Sequence, residues 1–253
     1  MDRIDLYLNF ERPLSENDLA RFKALLKRRL NHEPLQYILG ETEFMSLPFK
    51  VDPRSLIPRP ETEILVQVTI DEWKRRFANL PKINILDIGT GSGNIAISLA
   101  KYMSNAFIIA IDCSEDALVL AEENGCLNQV STQILWKCED ALANDFHSKL
   151  NQRFHIIVSN PPYISAGEFK QLPQEIQCYE PKQALYAGED GLHFYRSIGP
   201  KFRFLLYPDG FIVFEIGQGQ ADYVERIFQR AGLRDLKRIP DLNGIERVIT
   251  GKN

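Results

Sequence analysis

Apolar positions follow three regimes along this chain. Near the N-terminus they recur at helical spacing. Leu19, Phe22, Leu25, Leu26 and Leu30 share one face, and Ser15 with Asp18 forms a capping-box pattern ahead of them. Lys27, Arg28 and Arg29 would place cations at the negative end of the helix dipole before Pro34 stops it. Residues 1 to about 30 are therefore predicted to be helical. From Leu35 to Pro60 the apolar pieces shorten, broken by Gly40, Pro48, Pro53, Pro58 and Pro60, and Phe49, Val51 and Leu56-Ile57 predict a small hairpin. A helix from Glu61 to about Phe77 follows, with Pro60 at its start and Glu61 and Glu63 at its positive end.

From Ile83 onward, short continuous apolar runs alternate with helix-length segments. Strands are predicted at 83–88, 106–111, 134–138, 154–158 and 210–216. The helices between them are 93–103, 114–124 and 191–206, and another covers 220–231. Apolar runs without polar alternation are the mark of strands buried on both faces, so this is an α/β chain with a parallel, doubly wound sheet. Two last strands, 236–239 and 247–250, are joined by the turn Pro240-Asp241-Leu242-Asn243-Gly244. That join is too short for a crossover, and the final strand is expected to be antiparallel.

Composition narrows the partners. A net charge of -4 argues against a broad non-specific grip on nucleic acid, which needs a basic face. Cys113, Cys126, Cys138 and Cys178 form no C-x-x-C pair, and His32, His147, His155 and His193 have no H-x₃₋₅-H spacing, so no metal site is expected. Cysteines without a pairing pattern, no secretory signal at Met1-Asp2-Arg3-Ile4-Asp5 and no apolar run of membrane-spanning length lead to the expectation of a cytoplasmic protein.

The chemistry gathers where strands end, which is where open α/β sheets bind ligands. Asp87-Ile88-Gly89-Thr90-Gly91-Ser92-Gly93-Asn94 follows the strand that starts at Ile83. Its glycines run G-x-G-x-G. A dinucleotide turn would need a glycine at position 94, which is Asn94. The spacing fits the nucleoside-binding turn of S-adenosylmethionine (SAM) enzymes, with Asp87 placed to meet an ammonium group through a water or directly. Asp112, 19 residues after Gly93, can accept from ribose hydroxyls, and Asp140 from an adenine amino group. After the strand at 154–158 comes Ser159-Asn160-Pro161-Pro162-Tyr163-Ile164. Two prolines stiffen this corner and remove donors, leaving an amide acceptor, free carbonyls and a ring to grip a planar nitrogen group.

Gly89–Gly93, Asp112, Asp140 and Asn160-Pro161-Pro162-Tyr163, in that order, resemble the seven-stranded, Rossmann-like SAM-dependent methyltransferases that methylate planar nitrogens on adenine, guanine or glutamine. Other stretches choose among these. Glu33-Pro34-Leu35-Gln36-Tyr37-Ile38-Leu39-Gly40, Glu43-Phe44, and Leu56-Ile57-Pro58-Arg59-Pro60-Glu61-Thr62-Glu63 resemble the peptide chain release factor glutamine methyltransferases. So do Tyr179-Glu180-Pro181, Ala184-Leu185, Gly188-Glu189-Asp190-Gly191-Leu192 and Gly244-Ile245-Glu246-Arg247-Val248. The resemblance implies methyl transfer from SAM to N5 of a glutamine in the Gly-Gly-Gln motif of a translation release factor, without metal and without direct nucleic-acid binding. It implies that Gly89, Thr90, Gly91, Ser92, Gly93, Asp112, Asp140 and Asn160 hold SAM. It implies that the Asn160 side-chain oxygen and the Pro161 carbonyl accept the substrate amide's protons, and that Pro162 keeps the corner rigid. Tyr163 would pack on the amide. It divides the chain into a small N-terminal helical domain with a hairpin linker, 1–50, and a methyltransferase domain, 51–253. There are two departures: a shorter helical region before Glu33 than the family usually carries, and Ala141 where an aromatic residue is expected beside Asp140. A nucleic-acid methyltransferase with the same core is the alternative, and it would call for a basic target-recognition region. A non-catalytic SAM-binding module would call for a degraded Asn-Pro-Pro-Tyr corner, which is intact here.

Overall fold

The structure, a computed structural model, describes residues 3–253; Met1 and Asp2, the start of the predicted N-terminal helix, lie outside them. That helix is two: α1 (Arg3–Leu8) and α2 (Glu16–Leu30), separated at Pro13. Ser15 and Asp18 make the capping box that the sequence predicts. The apolar stripe of α2 stays exposed, with Phe22 59% and Leu30 70% accessible. The helix is tethered through Arg29, 2.7 Å from Glu175, and through the Asn31 carbonyl, which accepts from the Tyr179 hydroxyl at 2.7 Å.

Leu35–Leu39 forms a short α3, and the hairpin lies earlier than predicted, as β1 (Glu41–Phe44) and β2 (Leu47–Lys50). Met45 and Ser46 both take positive φ at its turn, which matches the twist of a two-residue hairpin but lacks the usual Asn-Gly signal. Val51 and Leu56-Ile57 belong to the loop that follows, and α4 (Thr62–Arg76) starts after it.

The remaining chain alternates β3 (Ile83–Ile88), α5 (Asn94–Tyr102), β4 (Ala106–Asp112), α6 (Glu115–Leu127), β5 (Ile134–Cys138), α7 (Phe146–Leu150) and β6 (Phe154–Ser159). Short helices α8 (Ala166–Phe169) and α9 (Gln174–Tyr179) follow. The single helix predicted over 191–206 is broken into α10 (His193–Ile198) and α11 (Phe202–Leu205), because Gly199-Pro200 interrupts it. Then come β7 (Leu206–Glu215), α12 (Ala221–Arg230), β8 (Arg234–Pro240) and β9 (Glu246–Lys252).

The seven-stranded sheet has the order β5-β4-β3-β6-β7-β9-β8. β9 is antiparallel to both neighbours, as its short connection requires, and it inserts between β7 and β8. Alternate residues of the central strands feed opposite cores. Ile85, Ile108, Ile156 and Val213 pack with α4 and α5 on one face, together with Phe44 and Phe49 of the hairpin. Leu86, Ile109, Ile157 and Phe214 pack with α10, α11 and α12 on the other. Burial on both faces is why these strands read as unbroken apolar runs. Strand order reverses between β3 and β6, whose Asp87 and Val158 are register partners, so the segments leaving those two strands emerge side by side. No helix among the described residues is long and apolar enough to cross a membrane.

Candidate active site

A cavity of about 620 Å³ opens at the carboxyl ends of β3, β4, β5 and β6, at that topological switch point. Its wall includes Gly89, Thr90, Gly91, Ser92, Asp112, Asp140, Asn160 and Pro162. Of the residues singled out from the sequence, the structure gathers these in one place. Gly93, Pro161 and Tyr163 are not among the lining residues, although Asn160 and Pro162 on either side of Pro161 are.

The glycine turn is held by backbone bonds: the Gly89 and Thr90 N–H groups both donate to the Ile111 carbonyl at 2.9 Å. Gly93 caps α5 at φ +82, and a Cβ there would stand 2.9 Å from Ile97 Cδ1 and 3.1 Å from Trp136. Gly93 therefore serves packing between α5, α6 and β5 rather than ligand contact. Asp112 is fixed by two backbone donors, Gly91 N–H at 2.9 Å to Oδ2 and Ser114 N–H at 3.0 Å to Oδ1. Asp140 accepts from Leu142 N–H at 2.8 Å, which orients its carboxylate at the rim. Asp87 is fully buried and does not line the cavity, so it is not placed to meet an ammonium group directly. Its carboxylate accepts from the Thr90 hydroxyl at 2.7 Å, and burial pushes its pKa up to about 7. Asp87 Oδ1 and Ser92 Oγ are buried beside the turn without partners among the described residues.

The Asn-Pro-Pro-Tyr corner is tied to the glycine turn by Ser159, whose hydroxyl donates to the Ile88 carbonyl at 2.7 Å. Asn160 Nδ2 donates to Thr62 Oγ1 at 3.0 Å, and the Thr62 hydroxyl donates to Glu215 Oε2 at 2.7 Å. Among the described residues, no donor reaches Asn160 Oδ1 or the Pro161 carbonyl. Tyr163 departs from its expected place. Its ring packs on the core beneath α10–α12 and its hydroxyl donates to Glu215 Oε1 at 3.3 Å. Burial, then the nearby Glu215 charge, push the Tyr163 phenol well above its ordinary pKa. Its carbonyl accepts from Gln220 Nε2 at 2.9 Å, which fixes the end of the corner.

The far wall comes from loops. Arg59 pairs with buried Glu180 at 2.5 Å. Lys182–Ala187 is folded back onto the corner by Ile164, whose N–H donates to Leu185 and whose carbonyl accepts from Ala187, each at 2.9 Å. Ala141 is buried, and its carbonyl accepts from Lys201 Nζ at 2.6 Å; aromatic side chains reach the cavity from elsewhere, among them Tyr186 and Phe194 of α10. Glu215, Gln220, Lys201 and Phe194 were not singled out from the sequence, and Thr62 stood there only as part of the Leu56–Glu63 stretch, with no role of its own. Glu215 left one signal, a lone acid closing an apolar strand, which places a charge at the sheet's functional edge.

Two family models match parts of the chain. A family model described as PrmC N-terminal domain matches residues 1–40, and one described as Methyltransferase small domain matches residues 63–184. Among solved structures, a SAM-dependent methyltransferase from Agrobacterium tumefaciens gives a TM-score of 0.56 at 15% identity, covering 84% of this chain and 69% of that one. A ribosomal protein L11 methylase from Lactobacillus delbrueckii subsp. bulgaricus gives 0.55 at 22%, covering 80% and 84%. At such identities these share the fold. The release factor glutamine methyltransferase of Geobacter sulfurreducens is 41% identical over 252 residues, covering 100% of this chain and 84% of the relative. That of Thermodesulfovibrio yellowstonii is 40% identical over 250 residues, covering 98% and 86%. With whole-chain identity at this level, the chain belongs to the release factor glutamine methyltransferase family.

Proposed function

We propose that this enzyme transfers a methyl group from SAM to the side-chain nitrogen of the glutamine in the Gly-Gly-Gln motif of a translation release factor. The observation that carries the proposal is Asn160, a cavity-lining amide whose Nδ2 is already committed to Thr62 while Oδ1 has no donor among the described residues. Oδ1 is thus available to accept one substrate amide proton. The Pro161 carbonyl can accept the other.

The residues present fit SAM. The glycine turn leaves space for a ligand: a Cβ on Gly89 would meet nothing within 4 Å, and one on Gly91 only Ser55 Cβ at 3.9 Å. Asp112 and Asp140 are oriented carboxylates at consecutive strand ends, suited to ribose hydroxyls and to an adenine amine respectively. SAM, when bound, supplies an electrophilic methyl group. Gly89, Thr90, Gly91, Ser92, Asp112, Asp140 and Asn160 would hold it, with Gly93 setting the turn from behind.

An amide nitrogen is a weak nucleophile because its lone pair is delocalised into the carbonyl. Two fixed acceptors aim it, and both gain strength as positive charge develops on the nitrogen. Pro162 walls the site, and Tyr163 supports the corner from behind instead of stacking on the substrate. The same proposal keeps residues 1–50 as an N-terminal helical domain with its hairpin linker and 51–253 as the methyltransferase domain. No direct nucleic-acid contact is part of it. The test is Asn160→Ala: methyl transfer should fall by about a hundredfold or more while SAM affinity holds. Parallel loss of both would contradict the role.

A further inference from the structure

Asn160 can serve as an acceptor only if its amide is turned the right way. The two ends of an amide have the same shape, so packing alone does not choose between them. The choice is made by a chain of hydrogen bonds leading away from the cavity. Glu215, at the end of β7 and 1% exposed, accepts from the Thr62 hydroxyl at 2.7 Å and from the Tyr163 hydroxyl at 3.3 Å. A carboxylate has no proton to give, so the single Thr62 proton must point toward Glu215. The Thr62 oxygen is then left with lone pairs facing Asn160, 3.0 Å away, and only the Nδ2 end of that amide can answer them.

We propose that Glu215, acting through the Thr62 hydroxyl, is a positioning residue that fixes the amide orientation of Asn160 and so presents Oδ1 to the substrate nitrogen. This rests on the assignment of Asn160 as acceptor and adds the reason it is one. Thr62 is at the start of α4 and 1% exposed, so water does not substitute for it. The three residues come from α4, the β6 end and the β7 end, and the central bond links positions 153 apart in sequence.

The network predicts a pH dependence. Protonated Glu215 could donate to the Thr62 oxygen and compete with Asn160 Nδ2, releasing the amide to flip. The charged and titratable groups around Glu215 are Tyr163 on the corner, Tyr195 on α10, Arg247 on β9 and Glu61 beside α4. The Tyr195 hydroxyl donates to the Glu215 backbone carbonyl at 2.8 Å, and both phenols are held well above their ordinary pKa, chiefly by burial. Arg247 favours the carboxylate and Glu61 opposes it, while burial, the largest effect, pushes Glu215 up to about 7.

The test uses the full chain, labelled SAM and a release factor protein. Thr62→Val removes the hydroxyl at nearly constant shape, and kcat should fall about tenfold to a hundredfold with SAM affinity unchanged. Thr62→Ser should restore most of the rate. In the wild type kcat should fall as pH drops through about 7, and in Glu215→Gln that limb should flatten. If Thr62→Val does not fold, the Glu215→Gln profile decides alone. Wild-type kcat in Thr62→Val, a Ser variant as slow as Val, or an acid limb that persists in Glu215→Gln would overturn the proposal. Asn160→Ala run alongside separates the two levels. Full activity in that variant sinks the acceptor role itself, whereas an inactive Asn160→Ala beside a normal Thr62→Val sinks only the positioning role.

Discussion

Gly191→Ala should loosen the Asn-Pro-Pro-Tyr corner from outside the cavity. Gly191 has φ +73, and a Cβ there would stand 2.4 Å from the Tyr163 carbonyl oxygen and 2.6 Å from Gln220 Nε2. Two costs add. A left-handed backbone with a Cβ costs about 1–2 kcal/mol. The carbonyl is main chain and cannot swing aside like a side-chain tip. Relief must move Tyr163 and break its 2.9 Å bond from Gln220, leaving partly buried polar groups unpaired at about 1–3 kcal/mol. The expected loss is about 2–5 kcal/mol in urea unfolding. Gly232→Ala is the control. Its φ is +95 but a Cβ would meet nothing within 4 Å, so it should lose only about 1–2 kcal/mol. Methyl transfer, measured where both variants are folded, should fall in Gly191→Ala alone. Equal destabilisation of the two variants, or wild-type transfer by Gly191→Ala, would refute the reasoning.

Three further outcomes follow from the structure. Asp112→Ala removes a carboxylate aimed by Gly91 and Ser114, and calorimetry should find SAM affinity down by about tenfold or more with little change in kcat at saturation; unchanged affinity counts against the ribose role. Arg59→Ala strands Glu180, 6% exposed, without its cation; because Arg59 is itself about a third exposed, unfolding should show a loss of about 1–3 kcal/mol, and no measurable loss would contradict the pairing. Glu215 binds its proton more tightly folded than unfolded, so stability present below about pH 4.5 is lost as pH rises through about 7. That loss is up to about 3 kcal/mol, and Glu215→Gln should remove this part of the slope from urea unfolding at pH 5 and 8; parallel slopes in the two proteins would refute it.

The central sheet was legible because burial on both faces leaves unbroken apolar runs such as Ile83–Ile88 and Phe154–Val158. Asp112 was legible because it closes such a run, Ala106–Asp112, and Asp140 because it follows the next strand, Ile134–Cys138, by two residues. The hairpin was displaced in the sequence reading because β1 and β2 are four residues each, carry Glu41, Glu43 and Pro48, and turn at Met45-Ser46 without a turn signature. The insertion of β9 between β7 and β8 is a choice of neighbour, which periodicity does not encode. The support behind Asn160 was hidden for the same reason: Thr62 reads as a helix start and Glu215 as a strand end, and only the fold brings them to 2.7 Å. Tyr163 was misplaced because its tetrapeptide specifies a stiff corner but not which way the ring leaves it.

The central claim is that a glutamine side-chain nitrogen receives the methyl group. The direct measurement is mass spectrometry of a release factor, its Gln→Asn variant in the Gly-Gly-Gln loop, and a DNA duplex after incubation with this enzyme and methyl-labelled SAM. A single labelled methyl on the glutamine amide nitrogen, absent from the Asn variant and from DNA, is the expected result. Label on DNA, or equal label on the Asn variant, would contradict the account.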